Sequence, residues 1–277
     1  MSLKQVARDT LAICDAGSYV GPTGGRVEIG SQIEAAVVGT RLYTPNELDD
    51  LLALPGGPGP APRIEVSDET TQVGARRLAS EGESRVALLN FASARNPGGG
   101  FINGAKAQEE DVTRCSALHP CLTSPSVEAY YKVNRALDSM LYTDHIIYSP
   151  AVPFFRSRST DLIDEPFFAG VITAPAPNAG EALKRDTGCL PAVEETLRRR
   201  AAKVLMVAAD QRHRVLVLGA WGCGVFRNQP SMVADAFGQH LGSARFAGCF
   251  ERVLFAVYDR SKDRGTLGAF KRRFATA

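Results

Sequence analysis

Most of the motifs that identify a chain at a glance are missing here. The six cysteines never form a CxxC pair and are too sparse in 277 residues for a disulfide scaffold. No apolar run is long enough to span a bilayer, and no charged-then-apolar leader opens the chain. Free thiols in a reducing cytoplasm are therefore expected, with no membrane partner. Charge excess is also lacking: 32 Lys and Arg against 30 Asp and Glu leave a net +2. That balance asks for no direct nucleic-acid binding. The basic clusters Arg198-Arg199-Arg200 and Lys271-Arg272-Arg273 read as solvated helix ends. There is no GxSxG, and neither main glycine-rich loop ends in Gly-Lys-Ser/Thr or has GxGxxG in the right context. The four histidines, His119, His145, His213 and His240, show no triad pairing. Cys115, His119 and Cys121 lack a second ligand pair, and Pro120 breaks their local geometry, so neither metal nor cofactor is expected.

What is present is an ordinary globular composition, 44% hydrophobic and 22% charged, in a chain long enough for a substantial core. Residues 3–15 carry Leu3, Val6, Ala7, Ile13 and Cys14 at helical spacing, with Gly17 as a stop. Extended pieces follow at 27–29 and 41–44, and Asn46 is placed to cap a helix through residue 54. The run Pro55-Gly56-Gly57-Pro58-Gly59-Pro60-Ala61-Pro62 is the clearest loop. It divides an N-terminal extension, 1–62, from a core, 63–277, within one domain. The core alternates. Strands are expected at 63–66, 85–91, 145–148, 168–172, 215–218 and 253–258. Helices are expected at 69–80 (capped by Asp68), 107–117, 126–137 (capped by Ser124 or Ser126), 189–208, 231–241 and 267–274. The polar stretch 156–165 reads as a loop. Such alternation predicts a layered α/β domain.

Two glycine-rich loops each follow an apolar strand: Asn96-Pro97-Gly98-Gly99-Gly100-Phe101, and residues 219–226 from Gly219 through Trp221, Gly222, Cys223 and Gly224 to Val225 and Phe226. Carboxyl ends of strands are where α/β sheets carry ligand loops, and glycines let backbone N–H groups approach phosphate oxygens. Tight turns are the plainer alternative. Seven residues after Gly100 come Gln108-Glu109-Glu110, at the start of an expected helix. Neighbours on a helix point about 100° apart, so these carboxylates cannot flank one bond from opposite sides as in a two-carboxylate glycosidase. A division of labour follows, one glutamate working as acid and base and the other orienting hydroxyls. A solvent-facing first turn is the alternative. Trp221 reads as core sooner than stacking platform, and Cys223 as a small packing residue sooner than a nucleophile.

The triglycine followed by Gln108-Glu109-Glu110 resembles the signature of poly(ADP-ribose) glycohydrolases. Asn90-Phe91-Ala92-Ser93 looks like a variant of that family's strand end, often Asp-Phe-Ala-Asn in the animal enzymes, and departs from it at two residues. Residues 219–226 are similar to the second phosphate loop of macrodomains. The N-terminal helix and the stretch Ile172 to Asn178 look like the short bacterial and fungal form. The resemblance implies a macrodomain-like three-layer α/β/α sandwich with a mixed sheet. It implies Glu110 as general acid and base through an oxocarbenium-like sugar, with Glu109 holding ribose hydroxyls. It also implies that Gly98, Gly99, Gly100, Phe101, Gln108, Asn90, Gly222, Cys223, Gly224, Val225 and Phe226 contact substrate. Gly99, Gly100 and residues 222–225 would hold the diphosphate, and Phe226 would pack on the adjoining ribose. Glu34 and Tyr258 stand as candidates for adenine. The partners so implied are poly(ADP-ribose), ADP-ribose and ADP-ribosylated proteins, met by a monomer that cuts mainly from chain ends. A non-hydrolytic ADP-ribose reader and a hydrolase of mono-ADP-ribosyl groups or ADP-ribose esters remain the competing readings.

Overall fold

A computed structural model describes residues 1–158 and 160–275; Ser159, within the stretch expected to loop, and the last two residues of the expected core lie outside it. The strands are β1 (Ser18–Val20), β2 (Arg26–Glu28), β3 (Arg41–Tyr43), β4 (Arg63–Ser67), β5 (Val86–Phe91), β6 (Ile146–Arg158), β7 (Asp161–Ala174), β8 (Val215–Gly219) and β9 (Arg252–Ala256). β1 and β2 form a small antiparallel ribbon. The other seven make one sheet in the order β3-β6-β7-β5-β8-β9-β4. Pairing is antiparallel at β3–β6 and β6–β7 and parallel from β7 through β5, β8 and β9 to β4.

Alternation along the strands splits the core between two faces. Ala87 and Leu89 of β5 join one cluster with helices Leu190–Asp210, Pro230–Leu241 and Gly265–Phe274. Val86 and Leu88 join the other with helices Leu3–Ala16, Gly30–Val38, Thr71–Ser80, Gln108–Cys115 and Glu128–Ala136. The result is an α/β/α sandwich. Trp221 is fully buried, its Nε1–H donating to the Ala174 carbonyl at 3.0 Å.

Several local expectations need correction. Residues 156–158 and 161–165 are strand, not loop: β6 runs on to Arg158 and β7 starts at Asp161, the two pairing antiparallel with bulges. The N-terminal segment covers part of the pair: Arg156 is buried, Tyr19 packs on Phe155 and Asp164 accepts from Thr23 Oγ1 at 2.8 Å, whereas Arg158, Asp161 and Glu165 stay exposed. Helix Gly30–Val38 has no counterpart among the expected elements. Helix Pro45–Ala53 is capped by Thr44 in a capping box with Glu47, not by Asn46, since Pro45 suits the first helical position, where no N–H is needed. Helix Thr71–Ser80 starts after Thr70; Asp68 instead accepts the Asp259 N–H at 3.3 Å and pairs with Arg264. Helix Glu128–Ala136 has no side-chain cap, and Ser124 precedes a short 3₁₀ turn, Pro125–Val127. The Pro-rich stretch is irregular, yet the segment before it supplies the edge strand β3.

Candidate active site

β5 and β8 are parallel neighbours, and their following helices lie on opposite faces: Gln108–Cys115 on one, Pro230–Leu241 on the other. Chains that leave adjacent strands for opposite faces open a crevice at the strand carboxyl ends, the place where open α/β sheets bind ligands. The two glycine-rich loops flank it.

Parity along β5 places Asn90 on the same face as Val86 and Leu88, beneath the helix that carries the glutamates. That helix is fastened residue by residue. The Gln108 amide is fully committed: its Oε1 accepts the Phe91 N–H at 2.8 Å, and its Nε2 donates to Leu89 O at 2.8 Å and Thr71 Oγ1 at 2.9 Å. Glu109 Oε1 accepts from Asn90 Nδ2 at 3.2 Å, and its Oε2 from the Ser93 N–H at 2.7 Å. Glu110 Oε1 accepts the Gly100 N–H at 2.9 Å, and Asp111 Oδ2 accepts from Gln72 Nε2 at 2.5 Å. Four consecutive side chains thus tie the helix to strand β5, to the loop that follows it and to helix Thr71–Ser80.

Both glutamates are buried, 3% and 8% exposed, which rules out the solvent-facing first turn. Their carboxylates meet at one point: a Cβ built on Gly99 would run into Glu110 Oε1 and lie 2.9 Å from Glu109 Oε2. They differ in satisfaction. Each Glu109 oxygen has a donor. Glu110 Oε2 is buried with no partner among the described residues. Burial pushes the Glu109 carboxyl up to about 8; the Ser93 N–H and the Asn90 amide pull it down, and the Glu110 charge pushes it up.

The triglycine serves this pair. Gly98 and Gly99 have φ of +68° and +60°, the Gly99 N–H closes a turn on Asn96 O at 3.0 Å, and the Gly100 N–H is taken by Glu110. Gly99 and Gly100 therefore have no free N–H for a diphosphate and can meet one only by close backbone approach. Phe101, expected to contact substrate, is fully buried with its ring 4.9 Å from that of His119, and supports the turn from beneath. Asn90 and Gln108 likewise spend their amides inside the protein, although Asn90 Oδ1 is buried and unpartnered among the described residues.

Free N–H groups belong to the second loop instead. Those of Gly222, Gly224, Val225 and Phe226 donate to no acceptor among the described residues. Gly222 has φ +71°, and Asn228 Nδ2 braces the loop by donating to Gly222 O at 3.1 Å and Pro177 O at 2.8 Å. Gly224 has open space where a Cβ would stand, and Val225 is 78% exposed. Phe226 is half-buried beside Tyr142, ring centroids 6.0 Å apart. Burial pushes the Cys223 thiol up to about 12, which argues against a thiolate nucleophile.

Asn178 caps helix Ala179–Arg185 by accepting the Glu181 N–H at 3.1 Å. His213 bridges Tyr148 Oη and Arg85 O, each at 2.7 Å. Glu34 is exposed on helix Gly30–Val38, and Tyr258 is 52% exposed with the Arg260 guanidinium 4.6 Å from its ring centre. Among the described residues no group of three or more His, Cys, Asp or Glu gathers to hold a metal, and all six cysteines are free. No helix among them is long and apolar enough to cross a membrane. Thr71, Thr173, Asn228 and Arg114 help to build the site and were not singled out from sequence. Thr173 pairs in register with Asn90, and its Oγ1 accepts from Asn90 Nδ2 at 3.3 Å, a contact that only the sheet order brings about.

A buried carboxylate pair beside an amide-rich loop, at the crest of a seven-stranded mixed sheet, defines a macrodomain-like α/β/α domain with a candidate active site. Residues 7–157 match the family described as microbial-type PARG, catalytic domain, and the chain belongs to that family. Poly(ADP-ribose) glycohydrolase from Thermomonospora curvata is 45% identical, with 98% of this chain and 99% of that chain covered and a TM-score of 0.93. The same enzyme bound to the inhibitor ADP-HPD gives 44% identity over the same shares, at 0.90. The Deinococcus radiodurans enzyme in complex with ADP-ribose is 50% identical, covering 88% of this chain and 97% of that one, at 0.82. No curated protein matches the chain.

Proposed function

We propose that this protein is a poly(ADP-ribose) glycohydrolase whose whole chain forms one catalytic domain. It hydrolyses the ribose–ribose O-glycosidic bond and releases ADP-ribose, mainly from chain ends. Membership of the microbial PARG family and likeness to relatives solved with ADP-ribose and ADP-HPD support the substrate. The observation that carries the mechanism is the asymmetry of the carboxylates. Glu110 is anchored through Oε1 and has its other oxygen unengaged, whereas both Glu109 oxygens already accept hydrogen bonds.

Glu110 gives a proton to the leaving ribose oxygen as the anomeric C–O bond breaks. The sugar passes through an oxocarbenium-like state. The resulting carboxylate takes a proton from the attacking water and regenerates the acid. Glu109 accepts hydrogen bonds from ribose hydroxyls and fixes the sugar. The free N–H groups of residues 222–226 receive the diphosphate, a role to which backbone nests are suited. Phe226 packs on the ribose next to it. ADP-ribosylated proteins are substrates through the polymer they carry.

The test is Glu110→Gln, which keeps the shape and removes the proton. Polymer cleavage should fall about 10²–10⁴-fold while ADP-ribose still binds. Cleavage at the wild-type rate would overturn the assignment.

A further inference from the structure

Glu110 is held by a closed circuit of contacts, and Arg114 completes it. Glu110 Oε1 accepts the Gly100 N–H at 2.9 Å. Gly100 O accepts the Ala105 N–H at 3.2 Å. Ala105 O accepts from Arg114 Nη1 at 2.6 Å. Arg114 then returns to Glu110 through one turn of helix Gln108–Cys115.

Arg114 is 1% exposed, whereas the segment it grips is not: Ile102, Asn103, Ala105, Lys106 and Ala107 are all exposed. The guanidinium thus reaches from the interior to fasten a surface segment whose other end is the Gly100 turn. Keeping a guanidinium dry costs several kcal/mol. The charges of Asp111 and Glu110 offset part of that cost. What arginine adds is a rigid planar fork, which fixes direction as well as distance.

The N-terminal helix continues the circuit. Thr10 Oγ1 donates to the Arg114 carbonyl at 2.7 Å, satisfying one of the orphan acceptors at the end of helix Gln108–Cys115. Gly104, next to the gripped residue and at φ +81°, lies against the start of the same N-terminal helix; a Cβ there would sit 3.4 Å from the Lys4 nitrogen.

We propose that Arg114 is a positioning residue for hydrolysis: by fixing Ala105 it sets the Gly100 turn and so aims the free oxygen of Glu110, with Thr10 bracing it from the N-terminal helix. This rests on the reading of Glu110 as the acid–base group. The circuit contains no contact to residues 222–226, so ADP-ribose binding should be spared while turnover suffers.

The experiment compares Arg114→Gln, Arg114→Lys, Thr10→Val and Glu110→Gln, measuring kcat on poly(ADP-ribose), Kd for ADP-ribose by calorimetry, and thermal melting. Misaiming the carboxylate by about 1 Å should lower kcat of Arg114→Gln roughly 10²-fold with Kd changed less than about threefold. Arg114→Lys, which keeps a donor that can reach Ala105 O, should recover about tenfold of that loss. Thr10→Val should lower kcat several-fold with Kd unchanged, and it decides the matter if Arg114→Gln does not fold. Wild-type kcat in a folded Arg114→Gln, equal losses in kcat and affinity, no recovery by lysine, or wild-type kcat in Thr10→Val would each overturn the proposal. Full activity of Glu110→Gln would instead remove the acid–base reading beneath it, so the two failures are distinct.

Discussion

Gly99 and Glu110 leave no room for a side chain between them. A Cβ at Gly99 would fall within contact distance of Glu110 Oε1, and the backbone there stands at φ +60°. The glycine is therefore required twice, by the turn and by the carboxylates packed against it.

Gly99→Ala should accordingly lower kcat on poly(ADP-ribose) by about 10²-fold, because the carboxylates must move to admit the methyl group. Gly24→Ala is the matched control: Gly24 has φ +87° with nothing within 4 Å of the place a methyl group would take, so it should lose about 1 kcal/mol of stability and no activity. Equal activities of the two variants would refute the steric argument.

Glu109 makes stability depend on pH. Its carboxyl is raised from 4.5 to about 8, chiefly by burial. Between those values the folded protein retains a proton that the unfolded chain has released, so this group makes stability fall as pH rises through that window. Glu109→Gln removes the dependence. Its stability relative to wild type, followed by Tm, should climb from about pH 4.5 to about pH 8 and stay level below, the total free-energy change being on the order of a few kcal/mol. A Tm difference flat across the window would show that Glu109 titrates normally.

Asn228 should govern affinity more than turnover. Losing its two bonds to Gly222 O and Pro177 O lets the amide-rich loop relax. Asn228→Ala should weaken ADP-ribose binding about tenfold, or about 1.4 kcal/mol, with a smaller change in kcat at saturating polymer. Calorimetry showing wild-type Kd would detach that loop from the diphosphate.

Cys223→Ala should keep kcat within about threefold of wild type, since a thiol pushed up to about 12 supplies almost no thiolate near neutral pH. Complete loss of hydrolysis in a folded variant would restore the cysteine as a nucleophile.

Features written in short-range pattern were legible before the fold was known. The near-continuous apolar run of β5, the helix from Gln108, and the strand, loop and helix around residues 215–241 all stand within a residue or so of their expected places. Features that depend on what covers them were not. The hairpin of β6 and β7 carries polar residues that look like a loop until the N-terminal segment packs over Arg156 and Phe155. Gln108 and Phe101 read as ligand contacts from their place in a motif, but their side chains are consumed in supporting it.

The sequence by itself determined the ingredients and one constraint. Glycines sit where left-handed turns are needed, acids fall in a first helical turn, and 100° spacing keeps two adjacent glutamates from flanking one bond. Only the tertiary structure decided which glutamate is left an oxygen to use. Asn90 comes from a strand, and the Ser93 and Gly100 amides come from a loop. Those donors meet the carboxylates because the sheet, the turn and the helix dock together. A hydrogen bond is satisfied by proximity in space, which the local pattern along the chain does not encode.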